Sequence, residues 1–237
     1  MAVYATSDLH GNKELYDKIK AMLKPEDKVY FLGDANDRGP DGWELIKTIY
    51  EDPQFIYIKG NHEEMFLAAA LDILDGCSRS DNVTLFYQNG EAKTLSAWKK
   101  EGRPKRWLDK IAKLPVCAEY INEVGQTVLL SHAGYTPRLY KSRIGVPCEE
   151  DLLWDRDHFF DEWDEDLFPN CIVVHGHTPS FYIAIDCGDD RDEMDAGAYW
   201  YCDGYKVCLD NACYASGYAC LLNLDTWKDI VVSVDDE

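Results

Sequence analysis

The densest group of chemically active side chains is the octapeptide Gly33–Pro40, which reads Gly-Asp-Ala-Asn-Asp-Arg-Gly-Pro. It follows directly on the apolar, β-type run Val29–Leu32. A carboxylate at the end of a buried strand is costly unless a cation or a hydrogen-bond donor meets it. The aspartates could therefore hold a metal ion, and the forked guanidinium of Arg38 could bind a phosphate group. The same residue types are common in polar β-turns, so this stretch alone leaves both interpretations open.

Four further polar motifs also stand where an apolar run ends. They are Ser7-Asp8-Leu9-His10-Gly11-Asn12, Gly60-Asn61-His62-Glu63, Ser131-His132-Ala133-Gly134 and His175-Gly176-His177-Thr178-Pro179. Five of the six histidines fall in these motifs. Clusters of His with carboxylates are typical of metal sites, and open α/β sheets bind ligands at the carboxyl ends of their strands. The sequence therefore predicts that all these motifs converge on one metal site.

The elements that must position the motifs begin with a βαβ pattern. Apolar residues recur at helical spacing over 15–23, and Asp41 with Glu44 resembles a capping box that opens a second helix. Helical patterns follow at 64–74, 94–101 and 104–113, whereas strand-like runs are found at 171–175, 181–185, 205–209, 217–224 and 229–234. Because the motifs are spread widely along the chain yet must meet, we expect a single domain over 1–237, with a helical insertion at about 64–113.

The composition disfavours some partners and locations. With 24 basic and 44 acidic residues the net charge is −20, which discourages binding to nucleic acid or to an anionic membrane. No run is long and apolar enough to span a bilayer, and no signal-like segment opens the sequence, so a cytoplasmic location is expected. The nine cysteines form no Cys-x-x-Cys pair and are expected to be reduced. A structural zinc among Cys202, Cys208, Cys213 and Cys220 stays open as an alternative.

Taken together and in order, the motifs resemble those of the PPP-type serine/threonine phosphoprotein phosphatases, within the calcineurin-like metallophosphoesterase superfamily. The resemblance covers residues 6–179 and is closer to the bacterial and phage branch, which also contains the symmetrical diadenosine tetraphosphate hydrolases. It implies an α/β fold, a four-layer sandwich of two mixed β-sheets flanked by helices. The site is then expected at the loop-bearing edge of the two sheets.

The resemblance also implies a pair of divalent metal ions. Asp8, His10 and Asp34 would hold the first ion, and Asp34 would bridge to a second ion whose other ligands are Asn61, His132 and His177. These nitrogen and oxygen ligands suit manganese, which we expect, with iron or zinc as alternatives. A hydroxide shared by the two ions would attack phosphorus directly.

Four more residues take catalytic roles by the same resemblance. His62 would be the general acid that protonates the leaving oxygen, and Asp37 would orient its ring and raise its pKa. Arg38 would bind phosphate oxygens together with a second arginine, for which Arg156 has the expected spacing and Arg138 is the alternative. His175 is expected to lie beside the site without binding metal, and Tyr214 to lie over it.

The substrate remains open between two chemistries. The first hypothesis is a phosphatase for phosphoserine and phosphothreonine in proteins, and the alternative is a hydrolase of dinucleoside polyphosphates such as diadenosine tetraphosphate. The third is a non-catalytic phosphate-binding scaffold, against which the intact His62, Asp37 and Arg38 argue. Metals recognise the phosphoryl group, but loops read the leaving group, so the expected partner is either a phosphorylated protein or a small phosphate ester. The sequence predicts no oligomeric state.

Overall fold

The computed structural model describes residues 1–90, 92–135, 148–157, 159, 162–192 and 194–235. Its strands are β1 (Val3–Thr6), β2 (Lys28–Phe31), β3 (Phe55–Tyr57), β4 (Cys117–Ile121), β5 (Thr127–Ser131), β6 (Cys171–His175), β7 (Tyr199–Tyr201), β8 (Lys206–Cys208), β9 (Tyr218–Asn223) and β10 (Asp229–Ser233). They form two five-stranded sheets, ordered β10-β9-β1-β2-β3 and β4-β5-β6-β8-β7. Both sheets are mixed, because β1-β2-β3 and β5-β6-β8 are parallel whereas the remaining pairs are antiparallel.

The helices lie in the connections between these strands. They are α1 (Lys13–Met22), α2 (Gly42–Glu51), α3 (Asn61–Leu74), α4 (Asp81–Gly90), α5 (Lys93–Lys100), α6 (Lys105–Ile111), α7 (Glu149–Trp154), α8 (Ser180–Cys187) and the single turn α9 (Cys213–Ser216). Helices α3 to α6 follow one another between β3 and β4, in the span where we expect a helical insertion. None of the helices in the described ranges is long and apolar enough to cross a membrane.

Side chains that point alternately to the two faces of each strand divide the core into layers. On β9, Cys220 and Leu222 pack between the two sheets, whereas Ala219 and Leu221 face the helices α1 to α6. This follows from the two-residue period of a strand, which sends successive side chains to opposite faces. The outer face of the second sheet is covered by α7 and α8. The predicted four-layer sandwich of two mixed sheets is therefore confirmed.

Local predictions were wrong at several places. Residues 181–185, predicted as a strand, lie in α8, which follows Pro179 and ends at Gly188 in the left-handed conformation that favours glycine. A five-residue apolar run fits a strand or a buried helix equally well, so periodicity could not distinguish them. Helix α4 and strand β7 were not predicted. Asp41 does precede α2, but its side chain makes no capping hydrogen bond, so the predicted capping box is absent there.

Candidate active site

The five motifs lie at the carboxyl ends of β1, β2, β3, β5 and β6, where the two sheets face each other. Backbone hydrogen bonds join the motif at residues 7–12 directly to the motif at residues 33–40. The amide of Asp8 donates to the Gly33 carbonyl at 3.1 Å, and the amide of His10 donates to the Asp34 carbonyl at 2.9 Å. All six predicted metal ligands are buried, and they face one another across this junction.

Several functional residues have a backbone conformation that side chains rarely adopt. Six non-glycine residues of the motifs have positive φ angles between 41° and 70°, and these are Asp8, His10, Asp34, Asp37, Arg38 and His177. Such conformations cost on the order of 1–3 kcal/mol each and persist only where the surroundings enforce them. Their concentration here indicates that the fold tolerates backbone strain in order to position these functional residues.

The close packing of the loops also depends on Gly60. A Cβ atom at this position would lie 2.2 Å from Oδ1 of Asp34 and 2.6 Å from its backbone nitrogen. Real Cβ atoms do not approach other atoms so closely, and the obstacle includes backbone that cannot move aside. The motif at residues 60–63 can therefore approach the motif at residues 33–40 only with glycine at position 60.

The first predicted ligand group is formed by Asp8, His10 and Asp34. Nε2 of His10 lies 3.8 Å from Oδ1 of Asp8 and 3.7 Å from Oδ2 of Asp34. Nδ1 of His10 lies 3.0 Å from the Asn36 carbonyl, an arrangement that fixes the tautomer and leaves Nε2 available to a cation. Burial, aided by the nearby Asp210 and Asp34 carboxylates, raises the pKa of Asp8. The buried Oδ1 of Asp8 has no hydrogen-bond partner within the described part of the chain, as expected for an atom meant for a metal.

The second group is formed by Asn61, His132 and His177 beside Asp34. Nε2 of His132 lies 2.8 Å from Oδ1 of Asn61, 3.4 Å from Oδ1 of Asp34 and 3.2 Å from Nδ1 of His177. Ligand atoms about 2.1 Å from one ion lie about 3.0–3.4 Å apart, so these spacings fit a shared cation. Burial lowers the pKa of His177 and of His10, which keeps both rings neutral as metal ligands must be.

His62 and Asp37 form a separate pair at the edge of the ligand groups. Nδ1 of His62 lies 2.9 Å from Oδ2 of Asp37, and Nε2 lies 3.8 Å from Oδ2 of Asp34. Burial opposes protonation of the ring, but the Asp34 and Asp37 carboxylates prevail and raise the pKa of His62. The arrangement suits a proton donor. The same ring could instead join His10 and Asp34 around a metal, since their ligand atoms all lie within 4.8 Å of one another.

The predicted phosphate-binding arginines differ in what the structure shows of them. The guanidinium of Arg38 lies over the ring of Tyr214, 4.3 Å from its centroid, and the Tyr214 ring meets His10 edge-on at 5.9 Å. Arg156 is exposed just beyond α7, and its charge contributes to lowering the pKa of His177, so it lies within electrostatic reach of the ligands. Arg138 lies outside the described residues.

His175 and the cysteines have other partners. Nε2 of His175 lies 2.7 Å from the Tyr201 hydroxyl, and burial lowers the pKa of this histidine to about 3, so it is a neutral core residue. Cys208 and Cys213 each donate to a separate backbone carbonyl. Within the described ranges, the two side-chain clusters that could hold a metal contain no cysteine, so the alternative of a structural zinc finds no support; these clusters are His10-Asp34-His62 and Asp8-Asp34-His132.

Sequence reasoning missed two buried carboxylates. Glu63 accepts hydrogen bonds from the backbone amides of Asp34, Ala35 and Gly60 at 2.7–2.8 Å, and so ties the second motif to the third. Asp210 follows β8 at the same edge, and burial raises its pKa to about 6. Its position after an apolar strand, like that of the other motifs, was the signal that could have found it.

We expect Glu63→Ala to lower the free energy of unfolding by about 3 kcal/mol or more. The reason is that it leaves three amide donors of the motif loops without an acceptor, each worth about 1–3 kcal/mol when buried. Urea denaturation measures the change. The matched control is Glu14→Ala, which removes an exposed ion pair with Lys18 and should cost less than about 1 kcal/mol. Equal losses in the two variants would contradict the role of Glu63.

The fold and the site are those of a class of phosphoesterases. The chain belongs to the calcineurin-like phosphoesterase family, whose family model matches residues 1–211. An asymmetrical bis(5'-nucleosyl)-tetraphosphatase, PrpE of Oceanobacillus iheyensis, is 23% identical over 201 residues, 76% of this chain and 78% of that protein. A symmetrical bis(5'-nucleosyl)-tetraphosphatase of Azotobacter vinelandii is 30% identical over 163 residues, 65% of this chain but only 53% of that protein.

Solved structures share the fold. A putative diadenosine tetraphosphatase superposes with a TM-score of 0.63 at 17% identity, covering 98% of this chain and 92% of the other. A protein serine/threonine phosphatase from Saccharomyces cerevisiae gives a TM-score of 0.59 at 13% identity, covering 100% of this chain and 81% of the other. At these identities the likeness concerns the fold alone. The protein is thus a metallophosphoesterase, and the family implies divalent metal ions. Two clusters of side chains are candidate metal ligands, namely His10 with Asp34 and His62, and Asp8 with Asp34 and His132.

Proposed function

We propose that this protein hydrolyses dinucleoside tetraphosphates, breaking a phosphoanhydride bond by metal-dependent attack of water. The observation that carries the reaction class is the close approach of six buried candidate ligand side chains, whose nearest nitrogen and oxygen atoms lie 2.8–3.8 Å apart, with His62 and Arg38 nearby. The names of the curated relatives carry the substrate class, since PrpE and the symmetrical enzymes are named as bis(5'-nucleosyl)-tetraphosphatases. The phosphoprotein hypothesis, which the sequence motifs favoured, has only a likeness of fold in its support.

Each group of residues has a distinct task in this proposal. Two divalent ions, when bound by the two ligand groups, would activate water and neutralise charge on the phosphoryl oxygens. Arg38 binds a phosphate oxygen, and stacking on Tyr214 restricts its guanidinium to the mouth of the site. His62, held through Nδ1 by Asp37, presents Nε2 toward the ligand groups and gives a proton to the departing oxygen.

The acidity of the leaving group matters for the choice of substrate. A nucleoside phosphate is a much better leaving group than a serine alkoxide, so anhydride cleavage needs less help from a proton donor. Electrostatic stabilisation by the metals and by Arg38 then supplies most of the catalysis. The net charge of −20 makes such local cations necessary for any tetraphosphate to approach.

We expect the manganese-loaded protein to hydrolyse diadenosine tetraphosphate with a kcat/KM at least about tenfold above that for any phosphoserine or phosphothreonine peptide in a panel. Chromatography of the products, either two ADP or AMP with ATP, measures the rate and reports the cleaved bond. p-Nitrophenyl phosphate serves as a control for active protein. Faster turnover of a phosphopeptide would overturn the substrate class and restore the phosphoprotein hypothesis. Turnover of none of these substrates would favour a scaffold.

A further inference from the structure

A polar cavity of about 680 Å³ opens directly beside the ligand groups. His10 and Arg38 belong to its wall as well as to the catalytic site, so the two spaces are continuous. The remaining wall includes Lys13, Lys93 and the half-exposed Tyr214. None of the roles assigned above uses this space, which is far larger than a single phosphoryl group.

The cavity differs in charge from the rest of the protein. The chain as a whole has 44 acidic and 24 basic residues, but cations outnumber anions in this wall, with Lys13, Arg38 and Lys93 against Glu14 and Asp41. Nζ of Lys13 is 2.7 Å from both carboxylate oxygens of Asp17, and Nζ of Lys93 donates to the Arg38 carbonyl at 2.9 Å. Both lysines have long flexible stems, and their ammonium groups can turn toward an anion.

The backbone adds positive potential to the same wall. Helices α1, α2 and α5 all begin there, next to Asn12, Asp41 and Lys93. The Asn12 side chain caps α1, whereas the residues preceding α2 and α5 make no side-chain capping bond. The amino ends of helices favour anions, so their dipoles reinforce the lysine and arginine charges.

Arg38 links the two spaces. Its guanidinium lies over the ring of Tyr214, which also contacts His10, and both Arg38 and Tyr214 line the cavity. Arg38 can therefore contact a phosphoryl group at the metals and the next one in the cavity. A phosphopeptide or an aryl phosphate has no second phosphate to place there. An oligophosphate does, because its consecutive phosphoryl groups extend away from the one attacked.

We propose that this cavity is a second anion subsite, in which Lys13 and Lys93 bind phosphates distal to the reacting one. The leaving group is then itself an oligophosphate. The inference deepens the proposed function and rests on it for the reaction at the metals. In this proposal, Lys13 and Lys93 are the residues that give the site its preference for tetraphosphates over phosphate monoesters.

The test measures binding by calorimetry to the manganese-loaded protein. One ligand is bis(phosphonomethyl)phosphinate, a triphosphate analogue whose P–C–P links resist hydrolysis, and the other is methylphosphonate, which has a single phosphorus. We expect the wild type to bind the triphosphate analogue at least about tenfold more tightly than methylphosphonate. Lys93→Ala and Lys13→Ala should each reduce this preference about fivefold to tenfold, because each removes one charge-assisted contact.

Two control variants separate a local role from a general loss of charge. Lys93→Arg should keep most of the preference, and Lys100→Ala should keep all of it, since Lys100 is exposed at the far end of the same helix and outside the cavity wall. The subsite is refuted if wild type binds both ligands equally, or if Lys93→Ala and Lys13→Ala weaken both ligands in parallel. Failure to hydrolyse diadenosine tetraphosphate, with the preference intact, would refute the proposed function instead.

Discussion

Asp34→Asn should lower kcat/KM by at least about 10³-fold and should release bound metal. Asp34 is the one carboxylate shared by both ligand groups, with Oδ2 3.7 Å from Nε2 of His10 and Oδ1 3.4 Å from Nε2 of His132. Losing its charge weakens the hold on both cations, whose stabilisation of the transition state is worth several kcal/mol. Each 1.36 kcal/mol corresponds to a tenfold change in rate.

The measurement combines steady-state kinetics with metal analysis of the purified variant. Asp109→Asn is the matched control, because Asp109 is exposed on α6, and its loss should change neither quantity. Thermal unfolding of both variants shows whether the fold persists. Full activity of Asp34→Asn, or of wild type after exhaustive chelation, would refute a mechanism that depends on these metals.

His62→Asn should slow turnover by about 10²–10⁴-fold on a poor leaving group and far less on a good one. In the wild type, the Asp34 and Asp37 carboxylates raise the pKa of His62 against the effect of burial. The His62 ring therefore stays protonated over a wider pH range than a free histidine. Activity that depends on this proton falls as the pH rises through the raised pKa. The fall should be absent in His62→Asn.

Phenyl phosphate and p-nitrophenyl phosphate form the matched pair of substrates, since they differ only in a nitro group that makes the second leaving group more acidic. Asp37→Asn should show a smaller effect of the same kind, because Asp37 positions the ring through a 2.9 Å contact with Nδ1. Metal content must stay unchanged in both variants. Equal losses on the two substrates, together with loss of metal, would instead place His62 among the ligands with His10 and Asp34.

The sequence was most informative where chemistry and strand ends coincide. Asp8, Asp34, Asn61, His132 and His177 each follow an apolar run, and parallel strands bring such ends together at one edge. The convergence of the motifs could therefore be anticipated from the residues, whereas the two sheets and the four layers were expected from the resemblance to the phosphatase family. What each side chain contacts could not, because it depends on the unusual backbone angles that only the folded loops enforce.

The failures have physical causes as well. Helix α8 was mistaken for a strand because its short apolar run carries no decisive period. The role of Glu63 could not be predicted, because its carboxylate accepts hydrogen bonds from backbone amides of another motif. These amides come close to Glu63 only because Gly60 packs against Asp34. The cavity beside Arg38 is made by three helix starts that are distant in sequence, and no local pattern predicts that they meet.

The central claim is that the motifs build one site for two metal ions, and anomalous diffraction from manganese-loaded crystals tests it most directly. We expect two peaks roughly 3.5–4 Å apart. One peak should be bound by Asp8, His10 and Asp34, and the other by Asp34, Asn61, His132 and His177, with His62 bound to neither. A single peak, peaks away from these side chains, or direct ligation by His62 would contradict it.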